Sequence, residues 1–192
     1  MLETIVAPAT PYGESSIGVI RISGSKALEI VKLLTKTKVF KNRYAHYRKV
    51  YLNNDIIDDV IVTFYESPNT YTGEDLVEIS CHGSVTIIKT IVNELVNLGC
   101  LMAEPGEFTK KAFQNGKINL LQAESVADLI SSETEIQRRQ AIEIMKGNHS
   151  SKYENWRNKL IKILSNIEAK IDFPDEDLPE NILEKIKNTT SQ

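Results

Sequence analysis

The chain has 192 residues, of which 41% are hydrophobic and 26% are charged, and its formal net charge is −3. These values are typical of a globular protein with one or two domains. A general nucleic-acid-binding protein carries a basic excess, so the small acidic balance argues against that class while leaving room for a local basic patch.

The cysteine content and the apolar segments predict a cytoplasmic protein. Cys81 and Cys100 form no CxxC motif and are too few for a disulfide framework, which favours a reducing compartment. The first residues lack the pattern of a signal peptide. The most apolar helical segment, residues 85–102, is interrupted by polar residues and cannot span a bilayer, so we expect no membrane association.

The first half of the chain alternates strand and helix patterns. Ile17–Ile22 is rich in β-branched residues and predicts a buried strand, and the apolar spacing after Ser25 predicts a helix behind a capping serine. The elements predicted after these are a hairpin of strands 44–52 and 56–65, a strand at 76–82, a helix from 85 to 98 and a closing strand at 100–103. This half is therefore predicted to be a mixed α and β domain.

After Pro105-Gly106 the pattern becomes helical. It predicts a short helix at 107–114, a long helix from a cap at Asn119 to a stop at Gly147, and a third helix over 153–171. Two long amphipathic helices cannot bury both faces alone, so they need further helices. The fold class predicted is an α+β N-terminal domain, residues 1–117, followed by an incomplete all-α helical domain, residues 118–192.

Several common enzyme signatures are missing from this sequence. Gly13 and Gly18 have the glycine spacing of a P-loop, but Val19-Ile20 stands where the loop requires lysine and serine or threonine. The three histidines have no metal-ligand spacing to each other or to the cysteines. We therefore predict no nucleotide hydrolysis, no acyl-transfer triad and no metal site in this stretch.

Three polar residues are candidates for a ligand site. Arg21 lies in an apolar strand, where it requires a partner, either a structural carboxylate or a ligand. Glu78 shares a strand face with His82, and a carboxylate that accepts two parallel N–H bonds can hold a pterin or guanine ring; the alternative is a solvent-facing glutamate. Lys117 follows a helix-ending glycine and suits an anionic ligand tail, unless it is simply solvated.

The same segments resemble the N-terminal region of the TrmE/MnmE family of tRNA-modifying GTPases. Five motifs occur in the family's order between about residues 4 and 177. They are Thr10-Pro-x-Gly with Ile-Arg21-Ile-Ser-Gly24; Tyr71-Thr-Gly-Glu-Asp-x-x-Glu78-x-x-x-His82-Gly; Pro105-Gly-Glu-Phe-Thr-Lys with Ala112-Phe-x-Asn-Gly-Lys117; Leu121-Gln-Ala-Glu-Ser-Val-Ala-Asp-Leu-Ile130; and Ile171-Asp-Phe-Pro-Asp-Glu176. Each motif alone is modest, and five in order are specific.

The resemblance implies a first domain similar in fold to the folate domain of glycine-cleavage aminomethyltransferases. It implies that this domain forms a homodimer and binds 5-formyltetrahydrofolate or methylenetetrahydrofolate. The family's folate contacts fall on Arg21, Glu78 and Lys117 of this sequence.

The resemblance also implies a role for the whole protein. With an FAD-dependent partner of the GidA/MnmG type, the family installs an aminomethyl-type group at C5 of the wobble uridine of tRNA. Its GTPase domain, which uses GTP, Mg²⁺ and K⁺, is inserted into the helical domain, and its C-terminus supplies one more folate contact. Both lie outside this stretch, which is therefore predicted not to hydrolyse GTP alone. Glu104 and Asn119 depart from the family's usual basic residue and aspartate.

Two other functions fit the sequence. The first domain could be a stand-alone folate-binding or folate-dependent transferase domain, or a dimerisation module with a vestigial folate site. Direct tRNA binding is the least favoured function because of the overall acidic balance.

Overall fold

A computed structural model describes residues 3–147 and 150–172 of the chain. Contacts divide the chain into two compact units, Met1–Asn119 and Leu120–Gln192. The first unit contains a six-stranded mixed sheet and three helices, and the second is helical where it is described. The predicted fold class, an α+β domain followed by a helical domain, is confirmed.

The sheet has the strand order β3-β4-β5-β2-β1-β6. All neighbouring strands are antiparallel except β1 and β6, which are parallel. The strands are β1 (Ile5–Pro8), β2 (Ser15–Ser23), β3 (Ala45–Leu52), β4 (Asp55–Tyr65), β5 (Leu76–Gly83) and β6 (Leu101–Met102). β2 and β5 therefore lie together near the centre of the sheet, and β3 forms one edge.

Two helices cover one face of the sheet. They are α1 (Ala27–Leu34) and α2 (Val85–Asn97), and their apolar sides pack with alternate strand residues into a single core. On β5 the residues Val77, Ile79 and Cys81 point into this core. Because successive strand residues point to opposite faces, Glu78 and its neighbours face away from the helices. We call that second side of the sheet the open face.

The residues exposed on the open face correct one expectation. Ile17 belongs to the strand predicted to be buried, but its relative exposure is 61%. Ile17 alternates with the buried residues Gly18, Ile20 and Ile22, which places it on the open face with Arg21. Ile61 of β4 and Tyr47 of β3 are also exposed on this open face.

The predicted hairpin is confirmed, while the start of α1 differs from expectation. Asn53 and Asn54 connect β3 to β4 with φ angles of 49° and 78°. Two left-handed residues form the tight turn that matches the strand twist, and asparagine tolerates this conformation. No serine side chain caps α1; Lys26 precedes the helix and its N–H donates to Thr4 Oγ1.

The second unit corrects the prediction of one long helix between Asn119 and Gly147. The structure has two helices there, α4 (Leu120–Ser131) and α5 (Glu135–Met145). Thr134 caps α5 and forms a reciprocal capping box with Gln137, which fixes a new helix start where the pattern predicts continuation. A further helix, α6 (Ser150–Asp172), carries an exposed apolar stripe that includes Trp156, Leu160 and Leu164.

Some expectations fall on residues that the structure does not describe. These are most of the acidic run at 172–177, which the sequence predicts to be a solvated linker, and the helical pattern that begins near residue 181. Among the described helices, none combines the length and the apolar character needed to cross a membrane.

Because Ile79 lies in the core, we expect a large loss of stability when its side chain is shortened. Replacing Ile79 with alanine removes a fully buried side chain and leaves a cavity, so the free energy of unfolding should fall by about 3 kcal/mol in urea titration. Ile56→Ala, the same change at an exposed position of β4, should alter it by less than about 1 kcal/mol. Equal effects would contradict the assignment of the core to the helix-covered face.

Candidate ligand site on the open face of the sheet

Arg21 and Glu78 form an ion pair across the two central strands. They are direct register partners in the antiparallel pairing of β2 with β5, which places their side chains next to each other on the open face. Arg21 donates to Glu78 Oε1 from Nε at 3.0 Å and from Nη2 at 2.7 Å. Their side chains are 32% and 26% exposed, so solvent or a ligand can reach the pair.

The pair lies in a cavity of about 220 Å³. Its lining comes from β2 and β5, from the segment before β3, from the end of β4, and from residues 66–75 between β4 and β5, which we call the 66–75 loop. The lining residues are Arg21, Arg43, Tyr65, Asn69, Thr70, Tyr71, Leu76 and Glu78. The cavity thus combines two guanidinium groups, one carboxylate and two phenol rings.

Glu78 retains acceptor capacity toward the cavity. Both Arg21 donors bind Oε1, and the partner of Oε2 among the described residues is the Tyr65 hydroxyl at 3.4 Å, which is a weak contact. Burial, followed by the negative charge of Glu78, raises the pKa of Tyr65, so the phenol stays protonated as a donor. Glu78 Oε2 can therefore accept a further N–H from a ligand.

Aromatic rings flank the Arg21 guanidinium. The Arg21 Cζ lies 5.9 Å from the centre of the Tyr71 ring and 5.8 Å from that of Phe108. Phe108 belongs to a short helix, α3 (Glu107–Gln114), and Thr109 of this helix bonds the Tyr71 hydroxyl at 2.9 Å. Flat rings beside a charged pair suit a planar, polar ligand.

A buried polar cluster fixes the 66–75 loop against α3 and β2. The ammonium of Lys111 donates to both oxygens of Glu74, at 2.9 and 3.2 Å, and to the carbonyl of Glu3 at 2.7 Å. Ser23 Oγ donates to Glu74 Oε2 and bonds Thr72 Oγ1. Every charge in the cluster has a partner, so the loop is anchored near its end, before β5.

Lys117 contacts the outer side of the same loop. Its Nζ donates to the carbonyl of Pro68 at 2.9 Å. Gly73 has φ of 78°, and a side chain there would press on Lys117 and Asn115, with Lys117 Cγ and Cδ at 3.3 Å from an added Cβ. Glycine is thus required both for the backbone conformation and for the packing of Lys117. The structure brings Arg21 and Glu78 together in the cavity, whereas Lys117 contacts the 66–75 loop and is not among the lining residues.

The cavity contains residues that the sequence analysis missed. Arg43 donates to the carbonyl of Asn69 and lies over the Tyr65 ring, with its Cζ 5.5 Å from the ring centre. The only sequence signal for Tyr65 was its position at the end of a predicted strand. Arg43 precedes β3 in a connecting segment without periodicity, so nothing in the pattern indicates its proximity to Glu78.

Two other residues of β5, His82 and Cys81, are not among those that line the cavity. His82 Nδ1 lies 2.6 Å from Asp58 Oδ1, with its ring exposed at the strand end. Burial raises the pKa of Cys81 to about 11, so its thiol stays protonated near neutral pH and is a poor nucleophile.

The first unit is therefore an α+β domain with a polar, aromatic-flanked cavity on the open face of its sheet. The profile of a family described as "GTP-binding protein TrmE N-terminus" matches residues 4–117, and that of the "MnmE helical domain" matches residues 120–192. Two relatives, each named tRNA modification GTPase MnmE, are from Pelagibacter ubique (50% identical) and Rickettsia rickettsii (47% identical).

The chain belongs to the TrmE/MnmE family, as its motifs predict. Each match covers 98% of this chain but 43% of the relative, so the chain spans less than half the length of these proteins.

A substitution at Lys111 tests whether the buried cluster stabilises the 66–75 loop. Lys111→Met should lower the free energy of unfolding by about 3 kcal/mol or more, because it leaves the Glu74 carboxylate, 11% exposed, without its cation. Urea unfolding would measure this change. The neighbouring Lys110→Met, at an exposed position, should have little effect. A Lys111 variant as stable as the parent would contradict the anchoring role.

Proposed function

We propose that the first unit binds a reduced folate, 5-formyltetrahydrofolate or methylenetetrahydrofolate, in the cavity over Arg21 and Glu78. The observation that carries this proposal is the central ion pair, which leaves one oxygen of Glu78 available between aromatic rings. The family to which the chain belongs adds support from the motifs that contain the same residues.

The chemistry of the pair fits the pterin ring of a folate. The pterin edge presents an amino group and a ring N–H side by side, and Glu78 Oε2 can accept one of them while Oε1 remains bound to Arg21. Arg21 Nη1 is not engaged by Glu78 and can donate to a carbonyl oxygen of the ligand. The carboxylate tail of the folate then requires a cation, and Lys117 and Arg43 both contact the 66–75 loop.

We infer a role for the longer protein from its relatives, which are named tRNA modification GTPases. In this proposal the chain is part of a cytoplasmic protein that, with an FAD-dependent partner of the GidA/MnmG type, installs an aminomethyl-type group at C5 of the wobble uridine. The folate unit supplies the one-carbon donor. GTP, Mg²⁺ and K⁺ belong to a GTPase domain outside these 192 residues.

Homodimer formation by the first unit is part of the same proposal. The open face exposes Ile17 and Ile61 beside the polar cavity. Clustered apolar side chains on a sheet surface favour association with another protein surface. A second copy of this chain is the partner that the family resemblance implies.

The folate proposal predicts a specific loss in a Glu78 variant. Glu78→Ala removes the acceptor for the pterin edge, so binding of 5-formyltetrahydrofolate in isothermal calorimetry should weaken by more than about tenfold. The fold should persist, because solvent reaches the Arg21 side chain that loses its partner.

The matched control is Glu29→Ala, which removes an exposed carboxylate from α1. It should bind folate as tightly as the parent chain. Undiminished affinity in the Glu78 variant would remove Glu78 from the site.

A second comparison identifies the cation for the folate tail. Arg43 lines the cavity, while the Lys117 ammonium is bound to the Pro68 carbonyl. We therefore expect Arg43→Gln to weaken 5-formyltetrahydrofolate binding by about tenfold and Lys117→Gln by less. The reverse order in calorimetry would show that Lys117 leaves Pro68 to meet the ligand.

A further inference from the structure

The basic residues of the first unit are concentrated in one segment. Residues 30–54 contain no aspartate or glutamate, although the whole chain has a net charge of −3. The segment contains seven basic residues, which we call the basic edge: Lys32, Lys36, Lys38, Lys41, Arg43, Arg48 and Lys49.

The basic edge follows one border of the sheet. It begins on α1, continues through the connection to β3 and ends on β3, the edge strand, which pairs with β4 alone among the described strands. Lys36 lies at the hairpin end, where its Nζ donates to Asn54 Oδ1, and Arg43 lies at the opposite end. Eight residues of strand extend about 25 Å, so the charges are distributed along a line rather than gathered at one point.

Most of these charges have no acidic partner among the described residues. Lys49 forms an ion pair with Asp59 at 2.8 Å. Lys36, Arg43 and Arg48 instead bind neutral oxygens, those of Asn54, Asn69 and Tyr47. The border therefore carries a net positive charge on an acidic chain.

Aromatic rings are interleaved with the charges. Tyr44 and Tyr47 are 56% and 63% exposed, and the Lys41 Nζ lies 5.8 Å from the centre of the Tyr44 ring. Lysines on an edge strand also prevent sheets from pairing edge to edge. That role requires neither the exposed rings nor the lysines before β3, since Lys32, Lys36, Lys38 and Lys41 all precede the strand. Cations with exposed aromatic rings are instead the pattern that binds the backbone and bases of nucleic acids.

We propose that the basic edge binds the sugar-phosphate backbone of RNA, and that this RNA is the tRNA substrate. The identity of the RNA rests on the proposed function, whereas the polyanion site rests on the charge distribution alone. The overall acidic balance, which disfavours a general nucleic-acid binder, does not oppose binding at one positively charged border.

The test compares two variants of equal net charge. The first, Lys36→Gln/Lys38→Gln/Lys41→Gln, removes three charges from the basic edge and leaves the cavity residue Arg43 in place. The control, Lys26→Gln/Lys89→Gln/Lys110→Gln, removes three charges from exposed positions outside it. Binding of a fluorescently labelled tRNA transcript is followed by anisotropy between about 50 and 200 mM salt, the range over which phosphate contacts are lost.

The parent chain should bind the transcript with a steep salt dependence. The basic-edge variant should bind at least about tenfold more weakly at the low-salt end, and the slope of log K against log salt should fall by about three. The control should bind within about twofold of the parent affinity.

No saturable binding by the parent, or equal losses in both variants, would overturn the proposal. Displacement of the tRNA by polyglutamate as effectively as by unlabelled tRNA would also overturn it.

A folate titration of the same variants separates the two proposals. Retained 5-formyltetrahydrofolate binding by the basic-edge variant, together with lost tRNA binding, supports the basic edge and shows that the first unit is folded. If no chain binds folate but the difference in tRNA binding remains, the folate site fails and the RNA surface stands. If folate binds and the three chains bind tRNA equally, the RNA surface fails and the folate site stands.

Discussion

The ion pair between Arg21 and Glu78 is the constraint around which the first unit is arranged. Two opposite charges in the centre of a sheet can face either a packed core or a side that solvent reaches, and a packed core would impose a large desolvation cost. The helices cover the other face, where Ile20, Ile22 and Ile79 are buried. The pair therefore stays on the open face, and the elements on that face form a cavity around it instead of covering it.

The surroundings of the cavity are held by interactions that do not reach its floor. The contact of Lys111 with Glu74 anchors the end of the 66–75 loop before β5, and Lys117 contacts the start of the loop at Pro68. Because these contacts are internal to the protein, Arg21 and Glu78 keep donor and acceptor groups for a ligand. The side chains that fix the backbone are thus different from those that can bind a ligand, as is common in preorganised sites.

The sequence predicts the elements well where periodicity or turn chemistry is strong. Residues 27–34, 107–114 and the Asn53-Asn54 hairpin follow the expected pattern. The four-residue strand β1 is too short for its periodicity to predict it. The break before α5 is not predicted either, although residues 131–135 are all polar and Thr134 with Gln137 fits a capping box. Arg21 could be selected because a charge in an apolar strand requires a partner, whereas the pattern alone favoured a solvent-facing Glu78 and the family resemblance made it a candidate ligand contact. Arg43 could not, since its place in the cavity depends on the tertiary fold.

The proposed function requires Arg21 and Glu78 to bind a ligand and not merely to form a structural ion pair. The exchange variant Arg21→Glu/Glu78→Arg tests it directly, because it preserves an ion pair between β2 and β5 while reversing donor and acceptor. The measurement is a calorimetric titration with 5-formyltetrahydrofolate, after urea unfolding has shown a stability within about 1 kcal/mol of the parent chain. We expect a folded variant without saturable binding. Binding equal to that of the parent chain would contradict this expectation and would assign the pair to the fold alone.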